Sequence, residues 1–412
     1  MKQSWQALCL ISIAELFALS LWFSASAIAP SLIDNWNTTL RVEAWLSAAV
    51  PAGFVIGAFT SSLLGLTDHY NPRKVFAISA LVGASMNGAL IVVDHAIFGI
   101  LLRVLTGVTL AGVYPPAVQL IAQWFPKHRG LAMGTLIAAL TIGSSLPHLS
   151  TVLYSSLDWK MVIGTSSILA VLAAIIINWW VKDSPIVVER KPFTIRLIKK
   201  VSTNRPVMLA NYGYIGHMWE LYAMWTWLPI FLTASAHTNS EPLNSWVIGL
   251  ISFLVIGIAG GIGCVVGGVA ADKIGRSQLT IVSMGISATC AILIGFTYGQ
   301  TLWLTVLVSI IWGIFIISDS AQYSAAVSDF ADSEYVGTAL TFQMCMGYLI
   351  TIFSINIIPL IQKVVGWEWA FISLAIGPII GMIAMLKFRI YEFNKEKRDF
   401  YSTSMDDSVE RK

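Results

Sequence analysis

The chain has 412 residues, of which 56% are hydrophobic and only 11% charged. Soluble domains carry about 25% charged residues, so there are too few charges here to cover a water-facing surface, and a lipid bilayer is the first partner implied. The formal net charge of +3 gives no reason to expect nucleic acid.

A helix needs about 20 mainly apolar residues to cross a bilayer. Runs of that kind fall at 6–28, 43–66, 75–93, 97–120, 130–153 and 160–181, then at 207–233, 245–271, 278–298, 302–326, 336–361 and 368–388. These runs are helix-length rather than barrel-strand length, so an all-α membrane protein of twelve transmembrane helices is expected. Met1-Lys2-Gln3-Ser4-Trp5 leads straight into the first run, which is too long for a signal-peptide core and is expected to be a retained span. The four cysteines, Cys9, Cys264, Cys290 and Cys345, all sit inside apolar runs and show neither metal-ligand spacing nor a disulfide framework.

Lys and Arg gather on the cytoplasmic side of such proteins. With the N-terminus inside, the inner segments hold twenty-one basic residues and the outer loops only Arg41, Lys160 and Lys363. Both termini are therefore expected in the cytoplasm, in a multi-pass protein of the cell membrane, a bacterial inner membrane being the expected one. The polar stretch 183–205 contains Phe193-Thr194-Ile195-Arg196-Leu197-Ile198-Lys199-Lys200-Val201, whose apolar and basic positions separate at helical spacing. It is either a helix lying on the anionic inner leaflet or a solvated basic linker. Residues 391–412 form a cytoplasmic tail.

The second half echoes the first. Glu15-Leu16-Phe17-Ala18-Leu19-Ser20-Leu21-Trp22 in span 1 matches Glu220-Leu221-Tyr222-Ala223-Met224-Trp225-Thr226-Trp227 in span 7 at an offset of 205. Gly65-Leu66-Thr67-Asp68 with Arg73 is matched by Gly268-Val269-Ala270-Ala271-Asp272 with Arg276, and Gly134-Thr135 by Gly337-Thr338. The chain thus divides into pseudo-symmetric six-helix bundles, 1–182 and 206–390. Repeats related by an axis along the membrane normal imply a site between the halves, with access alternating as they rock.

These residues resemble the major facilitator superfamily over almost the whole chain. Gly268-Val269-Ala270-Ala271-Asp272-Lys273-Ile274-Gly275-Arg276 is close to the family's signature after span 8. The copy after span 2 keeps Gly65, Asp68, Arg73 and Lys74 but has Asn71-Pro72 where Gly is usual. Arg103 and Gly107 fit the Arg-x-x-x-Gly pattern of span 4, and Trp124-Phe125-Pro126-Lys127-His128-Arg129-Gly130 is similar to the usual approach to span 5. The antiporter motif of span 5 is incomplete: Gly134 and Gly143 keep its spacing, but Leu146 stands before Pro147 where that motif has Gly. The resemblance implies a secondary transporter. It also implies that Asp68, Arg73, Asp272 and Arg276 form inner-face charge pairs that hold the outward-open state. The repeat places Glu334 at the position of Arg129, so Asp68 with Arg129 and Glu334 with Arg276 are the expected pairs.

Ionisable side chains within the bilayer are costly and need a reason. Glu15 and Glu220 fall near mid-depth, with Trp22 and Trp227 seven residues further along the same faces. His217 precedes Glu220 by three residues, so the two can be neighbours. Trp219 adjoins this carboxylate. Asp319, with Gln322 on its face, lies in the inner half of span 10, and Arg103 in the outer third of span 4. The two glutamates either pack between helices or line a central cavity, where a carboxyl suits reversible protonation or substrate binding. Arg103 is either a buried structural partner or a coupling residue.

The expected function is proton-coupled transport of a small organic solute, with efflux of amphiphilic compounds as the alternative. No metal or cofactor is expected, and the chain is expected to work as a monomer. A membrane enzyme would need a nucleophile–base set or paired metal ligands. The six histidines form no His-Glu-x-x-His motif, and no glycine loop ending in Lys-Ser/Thr supports ATP hydrolysis. Single-cysteine labelling of the intact cell should reach position 195 from the cytoplasm alone. Labelling from outside would reverse the topology.

Overall fold

The computed structural model describes residues 2–125, 129–154, 158–184, 195–238, 243–332 and 334–410, and the regular elements among them are all helices. The first rod is α1, Lys2–Leu19. It is followed by α2 (Arg41–Leu63), α3 (Pro72–Val92), α4 (Ala96–Trp124), α5 (Leu131–Leu153) and α6 (Lys160–Trp180). The second half begins with α7, Arg205–Thr238. It continues with α8 (Ser245–Ile274), α9 (Arg276–Phe296), α10 (Leu302–Phe330), α11 (Val336–Val365) and α12 (Trp367–Lys395).

Ten of these rods are long and apolar enough to cross a membrane. The two others open the halves, and each falls short for its own reason. α1 stops at Leu19; the expected span 6–28 instead turns through 20–25 into a 3-10 turn, Ser26–Ile28, and a short helix, Ala29–Trp36. α7 is long enough, but His217, Glu220 and a run of Trp and Tyr dilute its apolar character. Large apolar side chains such as Ile78, Ile168, Trp303 and Phe353 stand exposed on the outside of the rods, the lipid-facing pattern.

The repeat is visible in how helices touch. In the first half a Cβ on Gly107 of α4 would stand 2.1 Å from the Val50 carbonyl oxygen, and one on Gly53 of α2 would stand 1.9 Å from that of Val104. In the second half a Cβ on Gly263 of α8 would clash with the Ile314 carbonyl oxygen, and one on Gly313 of α10 with that of Val255. Reciprocal glycines thus bring α2 onto α4 and α8 onto α10 backbone to backbone, the small-residue packing that membrane helices favour. α4 and α10 are also broken at matching places, by a turn at 111–113 and by one at Asp319.

The halves meet along two seams. Small residues of α8 lie against α5, with Gly257 opposite Ser145 and Gly260 opposite Thr141. α2 lies against α11, where Phe54 packs on Tyr348 and Ser62 Oγ is 3.2 Å from Thr341 Oγ1. Of the inner linker, the described part is a 3-10 turn, Ile195–Leu197, and a helix, Ile198–Thr203; 185–194 lie outside the described residues. That short helix is held by the C-terminal half: Lys200 pairs with Glu334 at 2.9 Å, and Asn204 Nδ2 donates to the Phe330 carbonyl and to Tyr335 Oη. The helix of α12 runs on to Glu410, through most of the segment expected as a tail.

Gly107→Leu should force α2 off α4 and cost about 1–3 kcal/mol, read as a lower unfolding temperature of the detergent-solubilised protein. Gly164→Ala, where a new Cβ meets nothing within 4 Å, should leave it unchanged.

Candidate functional site

A helix that stops inside a membrane leaves carbonyls without partners, and water is not there to take them. At the end of α1 the guanidinium of Arg103, fully buried on α4, does so. Its Nη2 donates to the carbonyls of Leu21 (3.0 Å) and Trp22, and its Nη1 donates to Ser24 Oγ (3.2 Å) and Asn87 Oδ1 (3.0 Å). Asn87 in turn donates to Ser167 Oγ at 3.0 Å. No carboxylate pairs with Arg103 among the described residues; the carbonyl end of α1, the negative end of its dipole, takes that place. Of the two expectations for Arg103, the geometry is that of a structural partner.

The clamp sets the position of Trp22 and Phe23, which carry the N-terminal half into an aromatic cluster with the C-terminal one. The Trp22 ring lies 5.3 Å from Tyr222 and 5.6 Å from Tyr348 between centroids, and Phe23 lies 6.0 Å from Trp225. Tyr222 Oη and Tyr348 Oη are 3.3 Å apart. This cluster joins α2, α7, α11 and the end of α1 near the middle of α7.

The two mid-membrane glutamates, matched in sequence, are not matched in surroundings. Glu15 is fully buried, and neither carboxylate oxygen has a hydrogen-bond partner among the described residues. Tyr114, at the break of α4, lies within Coulombic reach of Glu15 and of Tyr222. Glu220 turns instead into the C-terminal bundle, where Oε1 accepts from Trp312 Nε1 and Oε2 from Ser287 Oγ, both at 2.7 Å. Of the two expectations for these carboxylates, Glu220 takes the first and packs between helices. The expected neighbour of His217 is replaced: His217 Nδ1 lies 3.0 Å from Asp319 Oδ1, across to α10, and Tyr323 Oη donates to Asp319 Oδ2 at 2.5 Å.

Three further expected residues are dispersed. Trp219 Nε1 donates to the Ser373 carbonyl, and the ring lies against Gly377 of α12. Trp227 Nε1 donates to the Ile355 carbonyl of α11. Gln322 is buried one turn from Asp319. What reasoning from sequence missed is the set of neutral partners: Ser287, Trp312, Tyr323, and the chain Ser324–Gln343–Asn211 that links α10, α11 and α7. Neutral side chains in a span raise no alarm on their own. The signal that could have found them is helical spacing from a buried charge, as Tyr323 stands from Asp319.

On the face carrying the termini, Arg73 makes a bidentate pair with Asp183, Nε to Oδ1 at 2.7 Å and Nη2 to Oδ2 at 2.6 Å. Asn71, in place of the usual glycine, caps α3 by accepting from the Arg73 amide and donates to the same carboxylate. The second half repeats the device: Glu392 of α12 accepts from the backbone amides of Arg276 and Ser277 at the start of α9. The expected Glu334–Arg276 pair is not formed; Arg276 pairs with Asp329 at 3.1 Å, its nearer carboxylate on the end of α10, and Glu334 with Lys200. Asp272 is exposed, while the side chains of Asp68 and Arg129 lie outside the described residues. The hydrogen bond from Arg73 holds the Asp183 carboxyl below its ordinary value of 3.8. A carboxylate so lowered stabilises the fold above that ordinary value and ceases to as pH falls through its own, so the pair persists across the neutral range. Being half exposed, it contributes about 1 kcal/mol at most.

Arg103→Met should strand the Trp22 carbonyl, at about 1–3 kcal/mol for a group left unpaired, while the Leu21 carbonyl and Asn87 keep Ser24 and Ser167 as partners. A lowered unfolding temperature, with altered fluorescence from Trp22, is the expected outcome. Unchanged stability would show that Arg103 is not the clamp.

A family profile described as Major Facilitator Superfamily matches residues 11–355. The chain is similar to the uncharacterized transporter YybO of Bacillus subtilis, 25% identical over 56% of this chain and 59% of that protein. It is similar also to the niacin transporter NiaP of Acinetobacter baylyi, 28% identical over 29% of each chain. A gallate transporter of Pseudomonas putida is 28% identical over 37% of this chain and 34% of its own. The chain thus spans less than two thirds of the length of each of these relatives. Among solved structures, the nucleoside transporter NupG superposes with a TM-score of 0.70 over 93% of this chain and 99% of that one, at 14% identity, a likeness of fold. The profile spans most of the chain, and the chain belongs to the Major Facilitator Superfamily.

Proposed function

We propose that this protein is a secondary transporter that moves a small organic solute across a bacterial inner membrane by alternating access, driven by protons. The observation that carries this proposal is the pair Glu15 and Glu220. Equivalent helices of the two halves each bury a carboxyl, and neither has a cation beside it among the described residues. A carboxyl kept at that depth without a counter-ion needs a functional reason. Exchange of a proton as water and substrate come and go supplies one.

In this mechanism both termini are cytoplasmic. The aromatic cluster of Trp22, Tyr222 and Tyr348 closes the path between the halves at mid-depth, and the inner charge pairs of Arg73 and Arg276 exchange as the halves rock. Glu220 is the coupling carboxyl: Ser287 on α9 and Trp312 on α10 let its protonation be felt by the helices around it. Asp319, paired with His217, extends the same cluster toward the inner end of α10. Glu15, with no partner of its own, is the substrate-facing carboxyl.

The test uses the purified protein in proteoliposomes with an imposed pH gradient. Glu220→Gln keeps shape and hydrogen bonding but cannot titrate. It should slow gradient-driven accumulation by about 100-fold or more and spare counterflow exchange. Glu15→Gln should weaken substrate binding instead. Accumulation by Glu220→Gln against a gradient, using pH alone, would remove Glu220 from the coupling role and leave Asp319 as the candidate.

A further inference from the structure

The charges of the membrane interior, taken with their partners, say something about the solute itself. Arg103 is the one Lys or Arg deep within a span, and its guanidinium nitrogens Nη1 and Nη2 are already engaged by Leu21, Trp22, Ser24 and Asn87. The buried His217 already lies against Asp319. A carboxylate or phosphate arriving between the halves would find no free Lys or Arg terminus there, only the Nε of Arg103 and the Nε2 atoms of His148 and His217. Glu15, by contrast, offers two buried acceptor oxygens with no donor on either. A charge-assisted hydrogen bond to an ionised donor is the strongest partner such a group can take.

The surroundings of Glu15 favour a particular kind of donor. Tyr222 Oη and Tyr348 Oη are 3.3 Å apart, and Tyr114 at the break of α4 is near enough to Glu15 to feel its charge. Trp22, seven residues beyond Glu15, packs on Tyr222 and Tyr348, and its Nε1–H is itself buried without an acceptor. Aromatic faces from both halves thus gather around Trp22, seven residues beyond an unmatched carboxylate. Rings of Trp and Tyr attract ammonium groups through their quadrupoles, most strongly where water is excluded.

Resting on the transport proposal above, we infer that the solute is an organic cation, whose ammonium group is held by Glu15 among Trp22, Tyr114, Tyr222 and Tyr348. The orphaned Trp22 Nε1–H is left for a hydrogen-bond acceptor on the same molecule. The likeness to carriers whose names specify niacin and gallate does not extend to this specificity.

The full chain in lipid nanodiscs, at fixed pH and with no gradient, provides the test by equilibrium binding. The cationic probes are phenethylammonium, benzyltrimethylammonium and tetraethylammonium; 3-phenylpropanoate and benzoate serve as anionic counterparts. Saturable binding of at least one ammonium compound, with neither carboxylate bound, is expected. Glu15→Gln should weaken that binding by about tenfold or more at an unchanged unfolding temperature. Tyr222→Leu should also weaken it, while Tyr222→Phe, which keeps the ring, should not; this pair decides the matter if Glu15→Gln fails to fold. Retention of no ammonium probe, binding of a carboxylate as tightly, or full affinity in Glu15→Gln or in Tyr222→Leu would each overturn the inference. Gradient-driven uptake is measured separately. Its failure with binding intact would remove proton coupling and leave the cation site standing, whereas gradient-driven uptake of an anion would do the reverse.

Discussion

In a hydrocarbon interior the backbone has no solvent to fall back on, so a helix can be interrupted only where another group takes up its freed carbonyls. The grip of Arg103 on the Leu21 and Trp22 carbonyls is that group for α1, and much of the molecule's centre depends on it. A guanidinium suits the task because its planar fork donates to several acceptors at once. The interruption lets Trp22 and Phe23 leave the line of α1 and reach the rings of Tyr222 and Trp225 in the other half. A continuous α1 would carry those side chains along its own axis, and this contact between halves would be lost.

The scaffold around this centre is symmetrical where packing decides and asymmetrical where chemistry does. Reciprocal glycines join α2 to α4 and α8 to α10 in the same manner, because close backbone approach admits few alternatives. A carboxylate near the end of the sixth helix in each half, on the face carrying the termini, reaches the start of the third, Asp183 to Arg73 and Glu392 to the amides of Arg276 and Ser277. The buried carboxyls, placed alike by the repeat, are served differently. Glu220 is held by Ser287 and Trp312, while Glu15 is held by nothing on its own chain among the described residues.

How far this could be read from sequence follows from the same distinction. Span positions were legible because they depend on runs of one residue class, and the repeat was legible because Glu15 and Glu220 lie in recognisable surroundings 205 residues apart. The end of α1 at Leu19 was not, since Ser20 to Ala27 stay apolar enough to continue a span, and only a side chain 79 positions further on reveals the break. Ion-pair choice was not legible either. The repeat put Glu334 level with Arg129 and suggested Arg276 as its partner, but the linker brought Lys200 to Glu334, and Asp329 stood nearer to Arg276. Offsets along the chain do not report which of several nearby charges is closest. His217 likewise lies one turn from Glu220 in sequence, yet it faces α10.

The unequal treatment of two equivalent carboxyls suggests how a duplicated bundle acquires two jobs. After duplication both halves would have presented the same group at the same depth, and a substrate between them would have met both. Giving one of them local donors removes it from competition for the substrate and ties its charge to the helices that must move. Ser287 and Trp312 do this to Glu220 without adding a charge of their own. Leaving the other without donors makes its partner something that arrives from solution. An interior in which Glu220 and Glu15 were equally satisfied would hold the halves together but would have no place where a passing solute improves the electrostatics. In the proposed cycle, the unsatisfied Glu15 is the feature by which this bundle responds to what it carries.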